Sequence, residues 1–263
     1  MFRGLLKKDF LLVKTYLWVW LAAIILLYAA GSVFASYKGE FYLVFPFFIL
    51  LYMGHMVLLP IAACILLKAE EKGQYWLHGT AGGKKLLSSK LISAFLVMIA
   101  SLILTNLLMA FSLFISRSSG FSIIEQGKFP FIEGLLLKGL MLNGGIVIGA
   151  LYFTIWGLFL WALYHSLNQY PMLKKIRWII IAAAYFITNT IIGRMTTWDV
   201  VQSFFNQWTI RFSPSASNTI MFEGFGFTLS DGAIQVWPVL LSIIGLLLLF
   251  MAAGWLLDRK VEV

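Results

Sequence analysis

The chain has 263 residues, 61% of them hydrophobic and only 12% charged, with a mean hydropathy of +0.90 and a net charge of +9. A soluble globular chain carries about a quarter charged residues, so this composition excludes a soluble enzyme or binding domain and points to an integral membrane protein. The one cysteine, Cys64, excludes an intrachain disulfide.

At the N-terminus, Arg3, Lys7, Lys8 and Lys14 precede an apolar run that is too long for a signal peptide and lacks a small-residue cleavage site before Tyr37, so the segment is expected to be retained. Phe2, Leu5, Leu6, Phe10, Val13 and Leu17 recur at helical spacing, with Arg3, Lys7 and Lys14 along the opposite face. That pattern predicts an interfacial helix over residues 1–16.

Six apolar runs then follow: Leu17 to Ala35, Phe41 to Leu67, Leu91 to Ile115, Gly139 to Tyr164, Trp178 to Gly193 and Val236 to Leu257. Runs of this kind cross a hydrocarbon core of about 30 Å as helices. Lipid offers no partner to a free backbone group, and none of the runs alternates as a barrel strand does. The expected fold is therefore an all-α integral membrane protein of one transmembrane domain over residues 1–263, with the fifth span short.

The links are unequal. Residues 36–40 make a tight turn, 68–90 a polar island, 116–134 a medium loop and 194–235 a long segment. The last contains "SFFNQWTIRF" and "MFEGFGF", too aromatic for a solvated loop yet broken by Pro214 and several glycines, and is expected to form short interfacial or re-entrant helices at the outer leaflet. Within the fourth span, Gly145 and Gly149 form a small-xxx-small pair beside Asn143 and Gly144, which predicts close helix packing inside the subunit or at a subunit interface.

Orientation follows from the basic residues, which accumulate in cytoplasmic loops. With both termini inside, six lie outside (Lys38, Arg117, Lys128, Lys138, Arg194, Arg211), and the other 14 fall in residues 1–16, 68–90, 165–178 and 258–263. Both termini are thus expected in the cytoplasm, and the positive charge serves topology and attraction to anionic lipid rather than nucleic acid.

The missing chemistry narrows the function. The spans as drawn contain no Asp, Glu, Lys or Arg, whereas ion-coupled carriers keep an intramembrane ionisable group. His55 is the one candidate relay, and a lone histidine is more often a packed, hydrogen-bonded residue. His55, His78 and His165 lie in different segments and form no H-E-x-x-H pair, so no metal site is expected. No G-x-S-x-G motif marks a nucleophilic serine. "GTAGGKK" fails as a phosphate loop, because Gly79 and Gly83 enclose three residues and Lys85 stands where Ser or Thr would hold magnesium. No cofactor is expected on this chain, and any ATP it uses must bind another polypeptide.

The polar island "KAEEKGQYWLHGTAGGKKL" carries the most specific pattern. A basic interfacial helix, six spans with both termini inside, this island after the second span and an aromatic outer segment before the last span together resemble the permeases of type-two ATP-binding-cassette exporters. In that family an acidic residue, a glycine, a short helix and a basic entry to the third span follow the second span. Glu71, Gly73, the run Tyr75 to His78, Lys84, Lys85 and Lys90 take comparable places, although Thr80 stands where the usual proline would be. The closing "LLDRKVEV" is similar too.

The resemblance implies that residues 70–81 form a coupling helix on a separate ATPase subunit. Tyr75, Trp76 and Leu77 would enter a cleft on the partner, and Glu70 and Glu71 would pair with its basic residues. It further implies a second permease subunit, identical or related, with a path between the two lined by polar groups such as Asn106, Asn143, Thr188 and Asn189. The expected site is a bacterial plasma membrane, and the expected cargo an amphipathic peptide, lipid-like molecule or antibiotic. The alternatives are a membrane-embedded enzyme acting on lipid and a structural or sensory membrane protein. The bland reading of the island is an amphipathic loop resting on lipid headgroups.

Overall fold

The computed structural model describes residues 2–39, 41–73, 82–118, 131–212, 219–222, 225–228 and 232–260. Its helices are α1 (Phe2–Lys38), α2 (Phe45–Gly73), α3 (Gly83–Ser118), α4 (Phe131–Ser166), α5 (Pro171–Lys174), α6 (Arg177–Met195), α7 (Asp199–Asn206) and α8 (Val236–Lys260). Six of them, α1 to α4, α6 and α8, are long and apolar enough to cross a membrane, which makes the chain a multi-pass membrane protein. The chain divides into two units, Met1–Gln169 with Phe250–Val263, and Tyr170–Leu249.

In the first unit α2 is central. It packs against α1, α3 and α4, and α1 lies along α3, whereas α3 and α4 hardly touch. The shared core contains Val13, Ile24, Leu59, Leu66, Leu87 and Met98, all 1% exposed or less. Outward faces remain apolar, as at Val19, Leu26, Leu107 and Phe114. Such surfaces suit hydrocarbon rather than water.

The separate helix expected over residues 1–16 does not end at Leu17, because α1 continues unbroken to Lys38. Nothing between Leu5 and Ala30 is a glycine or proline that would interrupt it. At 1.5 Å per residue its 37 residues extend about 55 Å, well beyond a core of about 30 Å. The basic first turns therefore project past the apolar part. Val13 is buried, Leu5, Leu6, Phe10 and Leu17 are half-buried, and Arg3, Lys7 and Lys14 are exposed, so the anticipated apolar face turns toward the protein's own helices. Gly39 ends α1 with φ of 71°, a conformation that glycine adopts without strain, and its N–H donates to the Ser36 carbonyl at 3.1 Å.

The second unit holds α5, α6, α7, four short strands and the start of α8. Here the structure differs from the expectation of short helices over 194–235, while the spans themselves are helical as expected. Among the described residues between α6 and α8, only α7 is α-helical. It is followed by β1 (Thr209–Phe212), β2 (Thr219–Phe222), β3 (Phe225–Thr228) and β4 (Gly232–Gln235). β1 pairs antiparallel with β4, Thr209 opposite Gln235, and β2 pairs antiparallel with β3, Phe222 opposite Phe225, so the strands of the second ladder lie in sequence between those of the first. Phe, Thr and Ile favour extended backbone, and pairing satisfies the peptide groups that broken helices would leave free. An aromatic group closes the base: Phe204 lies 4.8 Å and Trp208 6.0 Å from Trp237 between ring centroids, and the Val236 N–H donates to the Trp208 carbonyl at 3.0 Å.

Candidate functional site

Polar groups gather at three levels along α3. The first joins the opening turns of α1 to the last turns of α2 and the second turn of α3. The Lys90 ammonium donates to Glu70 Oε2 at 2.8 Å and to Asp9 Oδ1 at 3.4 Å. Lys8 donates to both oxygens of Glu70, at 3.0 and 2.9 Å, and the Ser89 hydroxyl donates to Asp9 Oδ2 at 2.6 Å. Lys90 and Asp9 are fully buried and Glu70 is 3% exposed, while Lys8 remains 36% exposed. Two ammonium and two carboxylate groups leave the cluster without net charge, the condition under which buried charges are tolerated.

A second tie sits beside it. Gly82, which precedes α3, has no side chain to cap that helix, and Asp258 of α8 supplies the missing acceptor: the Gly83 N–H donates to Asp258 Oδ1 at 2.5 Å. The two helices meet through glycines. A Cβ at Gly83 would lie 2.7 Å from Leu257 Cβ and 2.9 Å from the Gly254 carbonyl oxygen, and one at Gly254 would lie 3.3 Å from the Lys84 backbone.

Eleven residues further along α3, about 16 Å at helical rise, lies the second level. His55 Nδ1–H donates to the Leu51 carbonyl at 2.6 Å, leaving Nε2 to accept from the Ser101 hydroxyl at 2.5 Å, and the Trp20 indole N–H donates to that same oxygen at 2.9 Å. A serine beside an oriented imidazole is the arrangement of an activated nucleophile, and no sequence motif marks it. Both residues are 0% exposed, and each hydrogen bond is answered, so what the trio does here is bind α1, α2 and α3 together. His55 is accordingly a packed, hydrogen-bonded residue. Ser93, buried between these two levels, has no hydrogen-bond partner among the described residues.

At the third level Asn106 and Asn143 exchange amide hydrogen bonds of 3.0 and 3.1 Å across α3 and α4, and Tyr52 donates to Asn106 Oδ1 at 2.8 Å. Each asparagine also donates to the carbonyl four residues earlier, Leu102 or Gly139. These two expected path-lining residues are thus brought together as a cross-helix pair. Thr188 and Asn189 belong to α6 in the second unit; Thr188 is exposed, and Asn189 donates to the Tyr185 carbonyl of its own helix at 2.8 Å.

Of the residues expected to meet a partner, Tyr75, Trp76 and Leu77 lie outside the described residues, and Gly73 is the last residue of α2. Glu70 is the acid at the centre of the cluster. Glu71 is 49% exposed, with His165 Nε2 at 3.9 Å from Oε1. The glycine pair of α4 also divides. A Cβ at Gly149 would lie 2.7 Å from Met56 Cε of α2, whereas one at Gly145 would meet nothing within 4 Å among the described residues.

The cluster escaped the sequence reading because its members are far apart in the chain and lie just outside the apolar runs. One signal was present: Asp9 shares a helix face with Leu5, Leu6 and Val13, and an acid on an apolar face calls for a buried cation.

No family model matches the chain. It is similar to a Bacillus subtilis (strain 168) protein described as "Uncharacterized protein YhcE", at 27% identity over 274 aligned positions that cover 100% of this chain and 99% of that one. No solved structure matches.

Proposed function

We propose that the chain is the membrane subunit of an ATP-driven ATP-binding-cassette exporter, working with separate ATPase subunits and with a second permease subunit, identical or related. The observation that carries the reading is the buried cluster of Lys8, Asp9, Glu70 and Lys90 at the helix ends from which residues 74–81 depart. A force applied to that link would reach α1, α2 and α3 together, and Asp258 would pass it on to α8. In this reading the link rests on an ATPase in the cytoplasm, Trp76 is its apolar anchor, and ATP-driven movement of the partner becomes helix movement.

The cargo is an amphipathic molecule, such as a peptide, a lipid-like compound or an antibiotic, because the aromatic outer segment suits release near the lipid. The distribution of basic residues supports cytoplasmic termini, and the plasma membrane of a bacterium is the expected location. The test is co-purification of this chain with a co-expressed ATP-binding-cassette ATPase. Retention of the ATPase by the wild type, lost with Trp76→Ala and Glu71→Lys and kept with Lys84→Ala, supports the reading. Equal retention by all four, or by none, sends the island back to the role of a loop on lipid headgroups.

A further inference from the structure

We infer that the neighbouring acids Glu70 and Glu71 have opposite assignments: Glu70 closes an internal clasp that makes the ends of α1, α2 and α3 move as one lever, and Glu71 is the acid presented to the partner. The second half of this rests on the exporter reading; the first rests on the clasp alone.

The two side chains diverge because successive residues of a helix are turned by about 100°. Glu70 faces inward and accepts three hydrogen bonds from two ammonium groups, while Glu71 is half exposed. An acid already saturated by Lys8 and Lys90 has little left to offer a basic residue on another protein. Lys90 extends the connection through Asp9 to α1, and Ser89 holds the second oxygen of Asp9, so α3 grips α1 by two consecutive residues. Opening the clasp would strand charged groups in a place that water does not reach. Rigid displacement of the three helix ends is therefore favoured over sliding between them, and Glu70, Lys90 and Asp9 are positioning residues for whatever the link receives.

The experiment compares Glu70→Gln with Glu71→Gln in the full chain, purified in mild detergent, using two readouts. Hydrogen–deuterium exchange is followed at residues 5–14, 66–73 and 84–93. Affinity for the purified ATPase is measured by titration. Glu70→Gln is expected to speed exchange by about tenfold or more in all three segments at once, through local opening, and to leave the ATPase Kd within about twofold of wild type once folded protein is compared. Glu71→Gln is expected to leave exchange unchanged and to weaken ATPase binding by about fivefold or more.

Faster exchange confined to residues 66–73 overturns the lever. Equal loss of ATPase affinity in both variants overturns the division of roles. If Glu70→Gln fails to accumulate, Lys8→Met, which removes the exposed cation and keeps the Lys90 bridge, gives the same three-segment readout. A wild-type chain that binds no ATPase refutes the exporter reading and the assignment of Glu71 with it, while the exchange pattern still decides the clasp.

Discussion

Lys90→Met is the sharpest perturbation of the cluster, because methionine keeps most of the length of the side chain and removes only the charge. In the wild type the ammonium lies between Glu70 at 2.8 Å and Asp9 at 3.4 Å. Without it Glu70 keeps Lys8, but Asp9 loses the cation it is paired with and retains the Ser89 hydroxyl. Charges at the Asp9 separation attract by roughly 5 kcal/mol at an effective dielectric constant of about 20, and removing one member of a buried pair costs about 3–5 kcal/mol. The expected loss of stability is of that size, and Lys90→Arg is expected to lose much less. Asp9→Asn combined with Lys90→Met should cost less than the two single changes added, by about 1 kcal/mol or more, since the second change removes the charge stranded by the first. Unfolding in mild detergent, followed by tryptophan fluorescence during denaturant titration, measures the wild type and all of these variants. Strict additivity, or a Lys90→Met variant within about 0.5 kcal/mol of wild type, would refute the reasoning.

Other expectations follow from the same contacts. Gly83→Ala forces a methyl against Leu257 and the Gly254 carbonyl, so folded yield and thermal stability should fall, whereas Gly145→Leu should leave the folded subunit unchanged and Gly149→Leu should cost about 1–3 kcal/mol by crowding Met56. Ser101→Ala removes the donor to His55 and the acceptor of Trp20 and should cost about 1–3 kcal/mol, while Ser93→Ala, which deletes an unpartnered buried hydroxyl, should be neutral or stabilising in the same unfolding assay. In a Cys64→Ser background, Ser119→Cys and Ser217→Cys should react with a membrane-impermeant thiol reagent in intact cells, and Ser88→Cys and Asn168→Cys only after the membrane is opened. The reverse pattern would invert the proposed orientation.

Six spans were legible because hydrocarbon thickness imposes a length and a composition that no other environment demands, and each apolar run from Leu17 to Leu257 lies inside a helix of the structure, except that the second opens with a 3-10 helix, Phe41–Val44, ahead of α2. What local composition could not supply was the burial of Asp9 and Val13 against distant residues, which turns the apolar face of the first turns of α1 inward, and the pairing of β1 with β4, which joins residues twenty or more positions apart. The polar levels were visible as residues but not as partners. Asn106 and Asn143 stood out for their polarity, and His55 for its isolation, yet it is the packing of α2 against α3 that brings Tyr52 to Asn106 and His55 to Ser101. Glu70 and Glu71 read alike in one dimension and differ only once helix rotation turns one of them toward Lys90.

Reconstitution tests the central claim most directly. The purified chain and its proposed ATPase are placed together in proteoliposomes, and ATP hydrolysis is measured with and without a panel of amphipathic peptides and lipid-like compounds. The account predicts vanadate-sensitive hydrolysis that at least one compound stimulates, with the compound accumulating on the opposite side of the bilayer, and loss of that stimulation in Trp76→Ala. Hydrolysis that is indifferent to the presence of the chain, to every compound and to Trp76→Ala would contradict it.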